Sequence, residues 1–440
     1  MIRKTFKGGV HPPHYKEATE HREIEKARLP QRVIIPLQQH IGAPCELIVK
    51  VGDKVKVGQK IGEGKAFVSA PVHASISGEV VSIETLPHPV GGKVLSVVIQ
   101  SDGLDEVDNN IKPFGSIESL SPEELKKIIR EAGIVGMGGA AFPTQVKLSP
   151  PPEKTIDTVI INGAECEPYL TADHRVMLER TEDVVFGIKV VMRAVGVSSV
   201  YIGIEDNKPD AIKKLEEAVS GEENIKVIPL RAKYPQGGEK QLIYAITGRE
   251  VPSGGLPMEV GVIVQNVGTV TAIARAVKTG MPLIERVVTV TGSGVKKPRN
   301  LLARIGTPFK DLIEECGGFN GTPGKVIMGG PMMGIAQTSL EVPVIKGTSG
   351  ILVLTKEEAK QYEPGPCIKC ARCVDICPIN LLPTRISHFS QMGMWDEAEE
   401  YNALDCIECG SCSYICPSKI PLVQRIRIAK GEILARKRKK

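Results

Sequence analysis

Residues 367–417 constrain this chain more than any other stretch. Eight of the eleven cysteines fall there, in two copies of one pattern. Cys367, Cys370, Cys373 and Cys377-Pro378 form the first copy, and Cys406, Cys409, Cys412 and Cys416-Pro417 the second. Both read C-x-x-C-x-x-C-x-x-x-C-P, the spacing that holds 4Fe–4S clusters in two-cluster electron-transfer modules. Three thiolates separated by residue pairs wrap one face of the cube, and the fourth, beside proline, crosses to the neighbouring cluster. The spacing therefore assigns Cys367, Cys370, Cys373 and Cys416 to one cluster, and Cys377, Cys406, Cys409 and Cys412 to the other. Zinc knuckles and disulfides are the alternatives. Zinc prefers paired C-x-x-C units with a longer gap between them. Disulfides need an oxidising compartment, which nothing else in the sequence indicates. A module this small buries little apolar surface, so its metal supplies part of its folding energy.

The remaining length leaves room for several more domains, each with its own core. A net charge of +5, without basic residues interleaved with aromatics, argues against nucleic acid as a partner. No apolar run approaches the ~18 residues of a membrane helix, and the N-terminus shows no apolar leader. An intracellular protein is expected, with any membrane contact made through partners. His11 and His14 flank Pro12-Pro13, which reads as a turn rather than a metal site.

From residue 33 to about 99, short β-branched runs alternate and break at glycines, as in Leu47-Ile48-Val49 and Glu79-Val80-Val81-Ser82-Ile83. Ser121-Pro122-Glu123-Glu124 is a helix start, with a serine N-cap, proline at N1 and glutamate at N3. Next comes Gly136-Met137-Gly138-Gly139-Ala140-Ala141-Phe142-Pro143-Thr144. Glycines this dense let backbone N–H groups approach a phosphate or a flat ring, although a plain tight turn uses them equally well. Thr158-Val159-Ile160-Ile161-Asn162 reads as a buried strand, and Glu165-Cys166-Glu167 puts two carboxylates just past its C-terminal edge, where open α/β sheets bind ligands. Strand–helix units then recur through residue 247, which argues a parallel, doubly wound sheet. Glu285 to Thr291 alternates as a strand, and residues 306–318 read as strand, turn and helix. The Met332-Met333 pair reads as core filling. Between the cysteine runs the spacer has helical periodicity. A second amphipathic helix over 420–435 precedes the basic run 436–440, which reads as a solvated end or a contact to anionic lipid.

Several stretches carry resemblances. Val51-Gly52-Asp53 through Gly58-Gln59, with Ser77-Gly78-Glu79-Val80, resembles the biotinyl/lipoyl hammerhead. The modified lysine of that family is missing, because Phe67 or Val68 stands at its position and Lys65 is out of place. Gly136 to Lys147, Asn162 to Pro168, Tyr234 to Glu239 and Asn266 to Thr269 resemble the NADH-oxidising flavoprotein subunit of respiratory complex I. The resemblance implies an FMN cradle at Gly136, Gly138, Gly139, Lys147, Asn162, Glu165, Tyr234, Gly237, Asn266 and Thr269. It places Phe142, Glu167 and Glu239 facing NADH. Ala164 and Gly238 depart from acidic residues of that family, and Cys166 replaces a glycine. Residues 285–320 resemble its soluble-ligand-binding β-grasp module.

In its order of modules, with Gly9-Val10-His11-Pro12-Pro13 and the Gly329-Gly330-Pro331-Met332-Met333-Gly334 run, nearly the whole chain resembles the C subunits of bacterial Rnf complexes, membrane-bound ion-translocating ferredoxin:NAD+ oxidoreductases. That resemblance implies an α/β multidomain protein. A barrel-sandwich domain would occupy residues 1–110, a Rossmann-like FMN/NADH domain 111–284, a β-grasp module 285–355 and a helical module with two 4Fe–4S clusters 356–440. It implies a peripheral subunit on the cytoplasmic face of the cell membrane. There it would exchange hydride between NAD(H) and FMN and relay single electrons to other subunits, and to ferredoxin through them. A soluble reductase resembling the cobalamin reductases shares these modules. A pure electron-relay subunit with a degenerate flavin site is the other alternative, favoured by Ala164 and Gly238.

Overall fold

The computed structural model describes residues 3–439, so the first two residues and the last position of the basic run 436–440 lie outside it. Two small antiparallel sheets make the barrel-sandwich. One has the order Arg32–Pro36, Lys93–Ser101, Gly78–Pro87, Lys54–Val55, and the other Glu46–Leu47, Lys60–Glu63, Val72–His73. Alternate residues of these strands, among them Val33, Ile35, Ile61, Val72, Val80, Val97 and Ile99, close one core between the sheets. Lys65 is exposed and paired with Glu46 at 2.5 Å, and Phe67 is exposed near it.

The second domain is a four-stranded parallel sheet in the order Ile225–Leu230, Val200–Glu205, Thr158–Asn162, Val262–Asn266. Thr158–Asn162 is apolar on both faces because both are covered. Val159 and Ile161 enter the core beneath helices Pro122–Glu131, Thr181–Val195 and Val267–Thr279, while Ile160 enters a second core beneath Glu239–Thr247. Ser121 starts the first of these helices with a complete capping box: its hydroxyl accepts from Glu124 N–H, and the Glu124 carboxylate accepts from Ser121 N–H at 2.8 Å. Gly187 lets two helix backbones touch, since a Cβ there would lie 1.9 Å from the Val270 carbonyl oxygen. The chain runs outward from the Thr158 strand through two neighbours and then returns to its other side. The crevice between Thr158–Asn162 and Val262–Asn266 is therefore the topological switch point. Asn162 and Asn266 are register partners at its C-terminal edge.

A six-stranded mixed sheet follows, with helix Phe309–Glu315 against it. Its strand Arg299–Arg304 precedes the 306–318 stretch read from sequence as strand, turn and helix, which holds only the turn and the helix. The cysteine-rich end is helical. Gly393, in the left-handed region at φ 71°, divides the spacer into Pro383–Met392 and Trp395–Glu400, and the last helix runs Leu422–Lys439. Arg436 approaches Asp396 at 3.8 Å and Lys437 pairs with Glu399, which ties the basic end back onto the spacer.

The residues ahead of Val33 lie outside the barrel core and form a strap across the other three units. Lys4 and Val10 bridge to Leu230 and Tyr234 of the parallel-sheet domain. Gly9 N–H donates to the Ile376 carbonyl in the cysteine-rich module at 2.8 Å. Ile24–Lys26 adds an edge strand, parallel to Asn300–Leu302, to the six-stranded sheet. No local periodicity marks these residues as strands, because their partners lie hundreds of positions away.

Candidate redox site

The eight cysteines separate into two pockets. Cys367, Cys370, Cys373 and Cys416 line one, with Ile420 and Leu422. Cys377, Cys406, Cys409 and Cys412 line the other, with Leu381, Val423 and Ile426. Each pocket takes its fourth cysteine from the other sequence run, as the spacing requires. Left-handed residues recur at matching places in the two runs, Lys369 and Ala371 in one and Glu408 and Gly410 in the other, so each loop turns its backbone inward around the second cysteine. Leu381 N–H donates to Cys377 Sγ at 3.3 Å and Glu408 N–H to Cys406 Sγ at 3.4 Å.

Among the described residues, no three His, Cys, Asp or Glu side chains converge closely enough to hold a single metal ion. The thiols surround a space instead, which suits a polynuclear cluster and not zinc. Burial, and then the neighbouring thiols, push Cys412 up to about 12; burial pushes Cys406 up to about 11. Thiols raised in this way become thiolates around concentrated positive charge, which iron supplies. The first pocket opens to solvent through exposed Cys367 and Cys370, whereas Cys377, Cys409 and Cys412 of the second are buried.

At the switch point, the loop 136–142 closes on itself through Gly136 N–H to the Phe142 carbonyl at 2.8 Å and is anchored by Met137 N–H to Thr269 Oγ1 at 2.9 Å. Gly138 lies so close to Asn266 that a Cβ would meet its Nδ2 at 2.9 Å. Asn266 caps helix Val267–Thr279, its Oδ1 accepting from Gly268 and Thr269 N–H. Asn162 Nδ2 donates to the Gly237 carbonyl at 2.9 Å. Lys147 Nζ pairs with Glu239 at 2.7 Å and also reaches the Val264 carbonyl. Gly136, Gly138, Gly139, Lys147, Asn162, Gly237, Glu239, Asn266 and Thr269 thus gather on one edge, with Phe142 half-buried at its rim. Exposed glycine backbone there leaves a surface that a flat ring or a phosphate can approach.

Three residues grouped with them by sequence are engaged elsewhere. Glu165 accepts from Asp173 and His174 N–H at 2.7 and 3.2 Å, satisfying the first turn of helix Ala172–Glu179. Glu167 accepts from Met332 and Met333 N–H at 3.0 and 2.8 Å, so its carboxylate pins the 329–334 loop instead of facing an open nucleotide site. A Cβ at Gly330 would lie 2.3 Å from that carboxylate. Burial pushes Glu167 up to about 7. Tyr234 is fully buried and packs against Cys409 where the edge meets the cysteine-rich module. The Met pair read as core filling proves to be a backbone clamp on Glu167.

The structure also adds residues that sequence reasoning passed over. Asp173 Oδ2 accepts from Asn266 Nδ2 at 2.7 Å, and burial, with Glu165 beside it, pushes Asp173 up to about 7. Lys16 is fully buried, and its Nζ donates to the carbonyls of Glu165, Glu167 and Leu170. Lys208 Nζ donates to the Ala164 carbonyl at 2.7 Å and lies 3.6 Å from Glu205. Asp173 could have been found, as an acidic residue in the first turn of the helix that follows the strand. Lys16 left no signal, since it sits some 150 positions from its partners.

Four family models match along the chain. Residues 4–104 match the family described as the RnfC barrel sandwich hybrid domain, 129–275 the Nuo51 FMN-binding domain, 287–336 the SLBB domain and 366–420 the 4Fe-4S dicluster domain. The chain is 56% identical, over 99% of its length and 98% of the relative's, to the C subunit of the Na(+)-translocating ferredoxin:NAD(+) oxidoreductase complex of Acetobacterium woodii. The chain belongs to the RnfC family. Two further members of the RnfC family are similar. The C subunit of the proton-translocating ferredoxin:NAD(+) oxidoreductase complex of Clostridium ljungdahlii is 53% identical over 89% of this chain and 86% of its own. The C subunit of the ion-translocating oxidoreductase complex of Rhodobacter capsulatus is 44% identical over 99% and 84%. Among the described residues of this RnfC family member, no helix is long and apolar enough to cross a membrane.

Proposed function

We propose that the chain is the NAD(H)-facing electron-transfer subunit of a membrane-bound, ion-translocating ferredoxin:NAD+ oxidoreductase, with FMN at the switch point and two 4Fe–4S clusters in the cysteine pockets. FMN, when bound, would accept the electron pair of one hydride and release it as single electrons. The chain's own residues position it. Gly136, Gly138 and Gly139 offer backbone to the ring, Asn162 and Asn266 fix its edge, and Lys147 supplies charge for its phosphate. Phe142 gives the nicotinamide nucleotide a stacking face. The observation that carries the reading is the loop 234–239. Its Gly237 carbonyl binds Asn162 on the flavin edge, while its Tyr234 packs on Cys409. One short loop therefore touches both redox sites. The cluster held by Cys377, Cys406, Cys409 and Cys412 is the inner one, next to the flavin. The cluster held by Cys367, Cys370, Cys373 and Cys416 is the outer one, open to a partner protein. The protein binds peripherally at the cytoplasmic face, where NAD(H) is available, and reaches ferredoxin only through its partners.

The test is anaerobic reconstitution of the full chain with iron, sulfide and FMN, followed by EPR after reduction with NADH or with dithionite. Two cluster signals with dithionite, at least one of them also appearing with NADH, are expected. Two clusters without flavin absorbance or NADH-dependent reduction would leave a relay protein with a degenerate flavin site.

A further inference from the structure

Tyr234 lies at the contact between the flavin edge and the inner cluster pocket. It is 1% exposed and belongs to one packed group with Val10 and Cys409, bordered by Cys166, Met332, Ile407 and Ile415. Its hydroxyl is a buried polar atom without a hydrogen-bond partner among the described residues. An orphan of that kind is rare in a native core and calls for a partner.

The side chains around it that could accept are Cys409 and Cys166 of the same packed group, and Glu167, which binds the neighbouring Met332 N–H. Two of these are already committed. Glu167 accepts from Met332 and Met333 N–H, and Cys166 Sγ accepts from Gly237 N–H at 3.3 Å. Cys409 remains. Two other corners of the same pocket already receive main-chain donors, Leu381 N–H on Cys377 and Glu408 N–H on Cys406.

We propose that the Tyr234 hydroxyl donates a hydrogen bond to sulfur at the Cys409 corner of the inner cluster, either the cysteine thiolate or the sulfide beside it, and thereby raises that cluster's reduction potential. The proposal rests on the functional reading only in taking these four cysteines as cluster ligands. A donor to sulfur stabilises the more negative, reduced state, so its loss lowers the potential. Tyrosine suits the task because its phenol O–H is a neutral donor at the end of a rigid ring. It also supplies the donor from a side chain of the flavin domain, so the inner cluster's potential depends on how the two domains are docked.

Tyr234→Phe keeps the ring and removes the donor. In the full chain with clusters reconstituted, an EPR-monitored redox titration needs neither NADH nor FMN. One cluster wave is expected to move to more negative potential while the other stays. Fe–S stretching bands in the resonance Raman spectrum should shift, and flavin absorbance after FMN addition should stay where it was. The metal-free variant should melt no lower than the wild type, since the lost hydroxyl had no protein partner. Two unshifted cluster waves would overturn the proposal. So would a changed flavin spectrum with unmoved cluster waves, which would assign the hydroxyl to the flavin. Failure of the wild-type chain to take up two clusters would sink the functional reading itself, a different result from two intact and unshifted waves.

Discussion

Replacing Lys16 with methionine tests how the flavin edge is held. The Lys16 ammonium is buried with its Nζ on three carbonyls of the loop 165–170, and the Glu165 carboxylate is 4.0 Å away. Hydrogen bonds from a charged donor contribute about 1.5–3 kcal/mol each, and removing the desolvated charge offsets part of their loss. The net cost to the loop is about 2–4 kcal/mol. At 1.4 kcal/mol per tenfold, that is about 30- to 700-fold more frequent local opening. Two amides report it directly. Asp173 and His174 N–H sit at a helix start, where the helix itself provides no acceptor, and Glu165 accepts from both. Hydrogen exchange on peptides covering residues 163–176 should accelerate by that factor, while the barrel strand Arg32–Pro36 stays as protected as before. FMN affinity should fall as well. A change in exchange below about threefold would refute the idea that Lys16 clamps the loop.

Glu167 and Asp173 are both raised to about 7 by burial, so the stability they allow is present in acid and lost as pH rises through that value. The thermal midpoint of the full chain should therefore fall between pH 5 and pH 8, and Glu167→Gln should flatten the slope; equal slopes would remove Glu167 from the account. Cys377→Ser should abolish the same EPR signal as Cys409→Ser, and Cys416→Ser the same signal as Cys367→Ser; loss grouped by sequence run instead would refute the crossed pairing. Phe142→Ala should raise the NADH concentration needed for flavin reduction while both dithionite-reduced cluster spectra persist. Ser121→Ala should cost about 1 kcal/mol in denaturant unfolding of the parallel-sheet domain, since it removes the hydroxyl that accepts from Glu124 N–H and leaves the backbone half of the capping box in place.

Local chemistry was legible in advance. The helix start at Ser121, the buried strand ending at Asn162 and the crossed grouping of the cysteines each follow from spacing within a dozen residues or from a ligand rule that does not depend on distance. The Gly-rich loop could be recognised as a close-approach surface, although not what it approached. Long-range substitutions of partner were illegible. Glu167 carries the same sequence signal whether it faces a nucleotide or two methionine amides from another sheet. Tyr234 reads as a flavin-loop aromatic until the cysteine-rich module is packed against it. Lys16 looks like one more residue in a charged N-terminal stretch, because nothing near it shows that three carbonyls about 150 positions on will surround it. Those placements follow from how the modules dock, and docking leaves no periodicity to read.

The N-terminal strap has a consequence for how the protein is made. Residues 4–26 leave the ribosome well before their partners at Leu230, Tyr234, Asn300 and Ile376. During synthesis the strap has nothing to pair with, and Lys16 waits with its charge in water. The loop 165–170 therefore receives its buried clamp only after the parallel-sheet partners exist, and Gly9 finds Ile376 only once the first cysteine run is in place. A chain truncated before Ile376 would leave Gly9 without that partner. Protease sensitivity of the N-terminus would thus time the maturation of the whole protein, closing only when both electron-carrying ends have been built.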